Sequence, residues 1–143
     1  MTREELVITA LAASNGAIHT PVQMQKLLFL IDKKIPESVG GPHFHFTPYA
    51  YGPFDSQVYG SLDVLANSGL VDVLSEPHLR WKKYKLAEMG LEKGKELLSS
   101  LHPPIQAYLR ELSSFVRGLS FEELVSSIYR EYPEMKVNSI FRG

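Results

Sequence analysis

Arg80, Trp81, Lys82, Lys83, Tyr84 and Lys85 stand in one run, in which four cations interleave with two aromatic rings. Cations at this spacing meet phosphates and aromatic rings pack on bases or on a protein partner, so this run is the chain's best nucleic-acid candidate. Read as a strand, its alternation turns Tyr84 and Leu86 to one face and Trp81, Lys83 and Lys85 to the other. The outer face then suits phosphate contact or an aromatic protein contact, and its lysines would equally serve to blunt an exposed sheet edge.

Other chemistries find less support. His43-x-His45 places two imidazoles on one side of a strand, but a transition-metal site wants three or four ligands and no third is positioned by spacing. His19, His78 and His102 fall near turns, where surface or capping roles are expected. With no cysteine, thiolate nucleophiles, disulfides, zinc fingers and iron–sulfur ligation are excluded. No Gly-x-Ser-x-Gly element and no glycine-rich phosphate loop occurs. The acidic pairs Glu4-Glu5 and Glu122-Glu123 are accounted for as helix-start residues. No catalytic residue, metal ligand or cofactor site is assigned, and a non-enzymatic protein is expected.

The totals agree. The chain has 143 residues, enough to bury a core without staples, and 44% of them are apolar. Fifteen basic and sixteen acidic residues leave a net charge of −1, so no global positive field draws it to nucleic acid or an anionic membrane. The first twenty residues lack a basic segment followed by an unbroken apolar run, and the longest apolar run, residues 27–31, is far short of a membrane span. A soluble, cytoplasmic protein is the expectation.

The elements that must position these residues can be mapped from helix starts. Thr2-Arg3-Glu4-Glu5, Thr20-Pro21-Val22-Gln23 and Ser120-Phe121-Glu122-Glu123 each read as a capping box. The first opens a helix over 3–14. The second opens the helix expected to be most buried, with Met24, Leu27, Leu28, Ile31 and Ile35 at helical spacing and Pro36 as its stop. Gly40-Gly41-Pro42 forms a loop before a strand-like run at 43–47. Gly52-Pro53 reads as a turn, Asp55 as the cap of a third helix with Phe54 stapled to Tyr59, and Gly69 as its end. Residues 70–86 read as an antiparallel hairpin turning through 75–78. Helical spacing resumes at 87–101, is broken by His102-Pro103-Pro104, and returns in two further helices ending at Gly118 and before Pro133. The tail from Glu134 has no assigned structure.

Helix, helix, helix, hairpin, helix is the order of a winged-helix domain, with the hairpin as wing and the third helix in the recognition position. The fold class is therefore mainly α with a small antiparallel hairpin (α+β): a winged-helix-like core at 1–101 and a C-terminal helical extension at 104–143 packed on the same domain. Tyr84-Lys85-Leu86-Ala87-Glu88-Met89-Gly90 resembles the Tyr-x-Leu-Thr-x-x-Gly join from wing to helix in many winged-helix regulators, with Ala87 in place of the capping threonine. Lys26-Leu27-Leu28-Phe29-Leu30-Ile31-Asp32, then Tyr51-Gly52-Pro53-Phe54 with Val58-Tyr59, then Leu65-x-x-x-Gly69-Leu70 resemble the Panacea family, the SocA-like antitoxin domains, and related uncharacterised prokaryotic proteins. The match covers roughly residues 20–101. Ile128-Tyr129-x-x-Tyr132-Pro133-Glu134 with Asn138-Ser139 resembles the same relatives. The resemblance implies a winged-helix-like fold and a regulator that restrains a partner toxin by direct binding.

The third helix argues against reading DNA. Groove readout needs cationic or amide side chains plus several phosphate contacts, and residues 55–70 contain no Lys or Arg but do contain Asp55 and Asp63. Gln57, Ser61 and Asn67 are its only candidates for base edges. Protein binding is the leading expectation, with Tyr49, Tyr51, Phe54, Tyr59 and Trp81 as contact candidates. The alternative is a DNA-binding regulator using Arg80, Lys82, Lys83 and Lys85, dimerised through its C-terminal helices.

Overall fold

Helix starts are set where side chains satisfy backbone N–H groups that lack a partner inside the helix. Thr2 and Glu5 cap α1 (Arg3–Ala12) reciprocally, Thr20 and Gln23 cap α2 (Pro21–Lys34), and Ser120 and Glu123 cap α6 (Phe121–Glu131), all as the sequence indicates. Between them lie α3 (Gln57–Asn67), α4 (Glu88–Ser99) and α5 (Pro103–Gly118) in this computed structural model, which describes residues 1–78 and 82–141. Pro103 and Pro104 stop α4 and open α5, where their missing N–H groups cost nothing. Ala87 occupies the cap of α4 with no side-chain bond, as expected for an alanine there.

Two antiparallel hairpins complete the described residues: β1 (Thr47–Tyr49) with β2 (Gly52–Phe54), and β3 (Val71–Leu74) with β4 (Lys83–Leu86). The molecule is thus mainly helical with small antiparallel hairpins, the expected α+β class. Val71 faces Leu86 and Val73 faces Tyr84, so Tyr84 and Leu86 point inward and are buried. Backbone bonds between His19 and Tyr84 in both directions tie β4 to the α1–α2 connection.

The first hairpin corrects the sequence reading. The strand begins at Thr47, not His43, and Gly52-Pro53 lies in β2 while Ala50 and Tyr51 make the turn. The reason lies in where the backbone donors go. The Asp32 carboxylate accepts His43 N–H at 3.0 Å and Phe44 N–H at 2.8 Å, and Asp55 Oδ2 accepts His45 N–H at 2.7 Å. Residues 43–45 are held extended by side chains and need no partner strand. Asp55 likewise is not the helix cap: α3 starts two residues later with Ser56 at the cap position, and Asp55 Oδ1 accepts the N–H of Gln57 at 2.8 Å.

Residues from Met24 to Asp32 of α2 are all buried, as expected of the central helix, and Leu6 to Ala12 of α1 are buried with them. Phe29 meets Phe46 and Tyr132 edge-on at 5.5 and 5.0 Å. α4 lies close on α1: a Cβ at Gly94 would stand 2.8 Å from both Ala12 Cβ and Ile8 Cγ2. One buried cluster holds Leu27, Leu28 and Ile31 together with Leu109, Val116, Leu124 and Ile128, so the segments at 1–101 and 104–143 share a core. At the surface Lys34 of α2 pairs with Glu131 of α6, a contact of at most about 1 kcal/mol.

Candidate protein-binding face

The lysine of the Lys-Leu-Leu segment and the Tyr-Gly-Pro segment, 27 residues apart in sequence, are locked together. Lys26 is 4% exposed, and its Nζ donates to Pro53 O at 3.2 Å. Gln25 beside it binds the backbone of Asp55 in both directions, donating to its carbonyl and accepting its N–H, each at 3.0 Å. Gly52 adopts φ 103°, a region closed to most side chains, and a Cβ there would lie 3.4 Å from Tyr129 Cε1 and 3.7 Å from Lys26 Nζ. Burial pushes the Lys26 ammonium down to a pKa of about 8. The hairpin is therefore pinned from beneath by α2, and Gly52 leaves room for the Tyr129 ring to pack against it.

What this anchor presents is aromatic. Tyr49, at the end of β1, and Tyr51, in the turn, are 59% and 41% exposed. Tyr49 packs on Phe54 at 5.1 Å, and Phe54 meets Tyr59 at 5.8 Å, the staple expected from their spacing. Phe54 and Tyr59 are half-buried, so they support the face while the two outer tyrosines form it. Tyr51 sets its ring against Phe121 at 5.1 Å, and Phe121 meets Phe141 at 5.9 Å. An apolar groove of about 410 Å³ opens here between Thr20, Pro21, Val22, Tyr51 and Phe121. Sequence reading missed Phe121 and Phe141. Phe121 carried a signal, a large apolar residue inside a capping box where the helix start should be solvated, whereas Phe141 sits in a tail without periodicity.

The C-terminal tail closes the other side of the hairpin. A short 3-10 turn (Pro133–Lys136) leads to Asn138, whose Nδ2 donates to Pro48 O at 3.3 Å, and Ile140 N–H donates to Ala50 O at 3.0 Å. The tail thus shares the edge of the turn that carries Tyr49 and Tyr51.

The described nucleic-acid candidates are divided between α3 and the segment 82–85. Gln57 and Asn67 are exposed on α3, but Ser61 is 3% exposed, which removes it from any base-reading surface. A serine on the inward face of a helix looks the same in sequence as one on the outward face. The exposed charge on α3 is Asp63. Lys82 is exposed, and Lys83 and Lys85 are half-buried on the outer face of β4, while Arg80 and Trp81 lie outside the described residues. His43 is not poised for a metal, because its Nε2 lies 2.7 Å from Val39 O. His19 is fully buried with Nδ1 bound to Ala17 O at 2.8 Å; its Nε2 has no partner, and burial pushes its pKa down.

Compared with protein-family models, curated proteins and solved structures, the chain matches none.

Proposed function

We propose that this chain is a non-enzymatic regulatory binding module, acting in the cytoplasm, that restrains a partner protein by direct contact in the manner of the SocA-like antitoxins its motifs resemble. The observation that carries the reading is the pair Tyr49 and Tyr51, held exposed on a two-residue turn that is fixed by Lys26 below and the tail beside it. Rigid, solvent-facing tyrosines next to an apolar groove supply binding area at low entropic cost, which is why such residues dominate protein interfaces. The run α3, hairpin, α4, with the β1–β2 hairpin inserted between α2 and α3, supports a winged-helix-like regulator, and an α3 whose exposed charge is acidic favours a protein partner over DNA.

The experiment is coexpression with the product of a neighbouring, toxin-like gene. Tagged chain is expected to retain that product through purification and to suppress its activity. Replacing Tyr49 and Tyr51 together by serine should weaken the complex by at least about tenfold, since one buried interface tyrosine is commonly worth 1–2 kcal/mol or more. Unchanged affinity in that variant, with the fold intact by circular dichroism, would refute the role of this face.

A further inference from the structure

Beside the aromatic groove lies a recess of about 480 Å³ between α6 and the tail, lined by Ser126, Tyr129, Arg130, Pro133, Lys136 and Phe141. Its rim is cationic. Arg130 and Lys136 are both exposed, and among the described residues neither forms an ion pair. Lys136 Nζ stands 5.8 Å from the centre of the Tyr129 ring. Tyr129 itself is 7% exposed and its hydroxyl has no hydrogen-bond partner, which leaves a buried polar group unmet. Lys26 lies close to the same ring, for a Cβ at Gly52 would be 3.4 Å from Tyr129 Cε1 and 3.7 Å from Lys26 Nζ, and that ammonium donates to Pro53 O. The nearby carboxylate of Glu123 is already held by the backbone N–H of Ser120, and Glu134 is exposed on the 3-10 turn.

We infer that this recess is a carboxylate-binding subsite, and that the partner segment which fills the aromatic groove carries an acidic side chain next to its apolar anchor. The inference rests on the binding-module reading and names the chemistry of its partner. Phe141 joins the two parts, standing 5.9 Å from Phe121 of the groove and 6.3 Å from Tyr129 of the recess, so one short segment can reach both. Two exposed cations without an ion pair favour an anion, because opposite charge at the rim adds specificity and speeds encounter.

The test uses the full chain, labelled with nitrogen-15, and a synthetic acetylated hexapeptide that alternates leucine and glutamate, with its leucine–glutamine counterpart as control. Saturable shifts are expected at the amides of residues 126–132 and 134–136 and at Val22 and Tyr51. The glutamine peptide, and the protein with Arg130→Gln and Lys136→Gln together, should each bind about tenfold more weakly. Equal binding of the two peptides, or wild-type affinity in the Arg130→Gln, Lys136→Gln protein, overturns the inference. The coexpressed partner separates this from the wider reading: a partner held equally by wild type and the Arg130→Gln, Lys136→Gln protein overturns the acidic-segment inference and leaves the binding module standing. Peptide discrimination as expected, with no partner retained, supports the subsite and removes the module reading.

Discussion

Lys26 keeps its ammonium where water is nearly absent and one carbonyl accepts from it, so the charged form is held at a cost that depends on pH. Below about 8, the value to which burial lowers its pKa, folded and unfolded chains both carry the proton. As pH rises from there toward 10.5, the folded state releases the proton first, the unfolded state holds more protons, and stability increases. A shift of this size corresponds to about 3 kcal/mol. Lys26→Met cannot titrate, so the stability of wild type relative to this variant should grow by about 3 kcal/mol between pH 7 and 11, read from urea unfolding at each pH. A difference that stays flat with pH would mean that the ammonium is solvated. Sequence reading reached Lys26 as a motif residue but not its partner. The capping pairs were legible because residue and partner lie three apart, whereas Lys26 and Pro53 lie 27 apart and meet only once α2 and the hairpin are packed. Ser61 shows the opposite failure, in which polarity was taken for exposure.

At the scale of elements, the contact between α1 and α4 depends on absent atoms. Gly90 and Gly94 weaken α4 as an isolated helix, yet each is a point of closest approach: a Cβ at Gly90 would collide with Leu70 O, and one at Gly94 with Ile8 and Ala12. Gly60 in α3 differs, because a Cβ there meets only Gln57 Oε1 at 3.4 Å. Gly60→Ala should therefore stabilise by about 0.5–1 kcal/mol through helix propensity alone. Gly94→Ala gains the same propensity but overpacks the helix pair, and a net loss of roughly 1–2 kcal/mol is expected. Denaturant unfolding of the two variants checks the contrast, and stabilisation by both would show that α4 can move off α1 freely. The helices were readable since each spans several turns of apolar spacing. The β1–β2 hairpin was not, because three-residue strands carry almost no periodic signal and Gly-Pro is a strong turn signature. Here the proline is tolerated in a two-stranded ribbon, where its missing N–H need not disrupt a wider sheet.

Taken whole, the molecule has a net charge of −1 and its clearest run of cations at residues 80–85. The segments at 1–101 and 104–143 share one core, so α5 and α6 brace α2 and place Phe121 and Phe141 beside the hairpin rather than forming an independent arm. This arrangement concentrates aromatic surface at one end and leaves α3 without cations. The consequence for DNA is quantitative. Affinity falls with salt at a log–log slope of about −0.9 for each phosphate neutralised, so Arg80, Lys82, Lys83 and Lys85 together allow a slope no steeper than about −4. Specific binders engage more phosphates and add base contacts, and here Gln57 and Asn67 are what α3 exposes for that purpose. A mixed-sequence duplex should therefore show no binding at about 150 mM salt, and any association at lower salt should have a slope shallower than −4 and vanish with Lys82→Glu and Lys83→Glu. Fluorescence anisotropy across a salt series measures both. A steeper slope would require phosphate contacts beyond those four cations, and would place the DNA-binding regulator ahead of the protein-binding module.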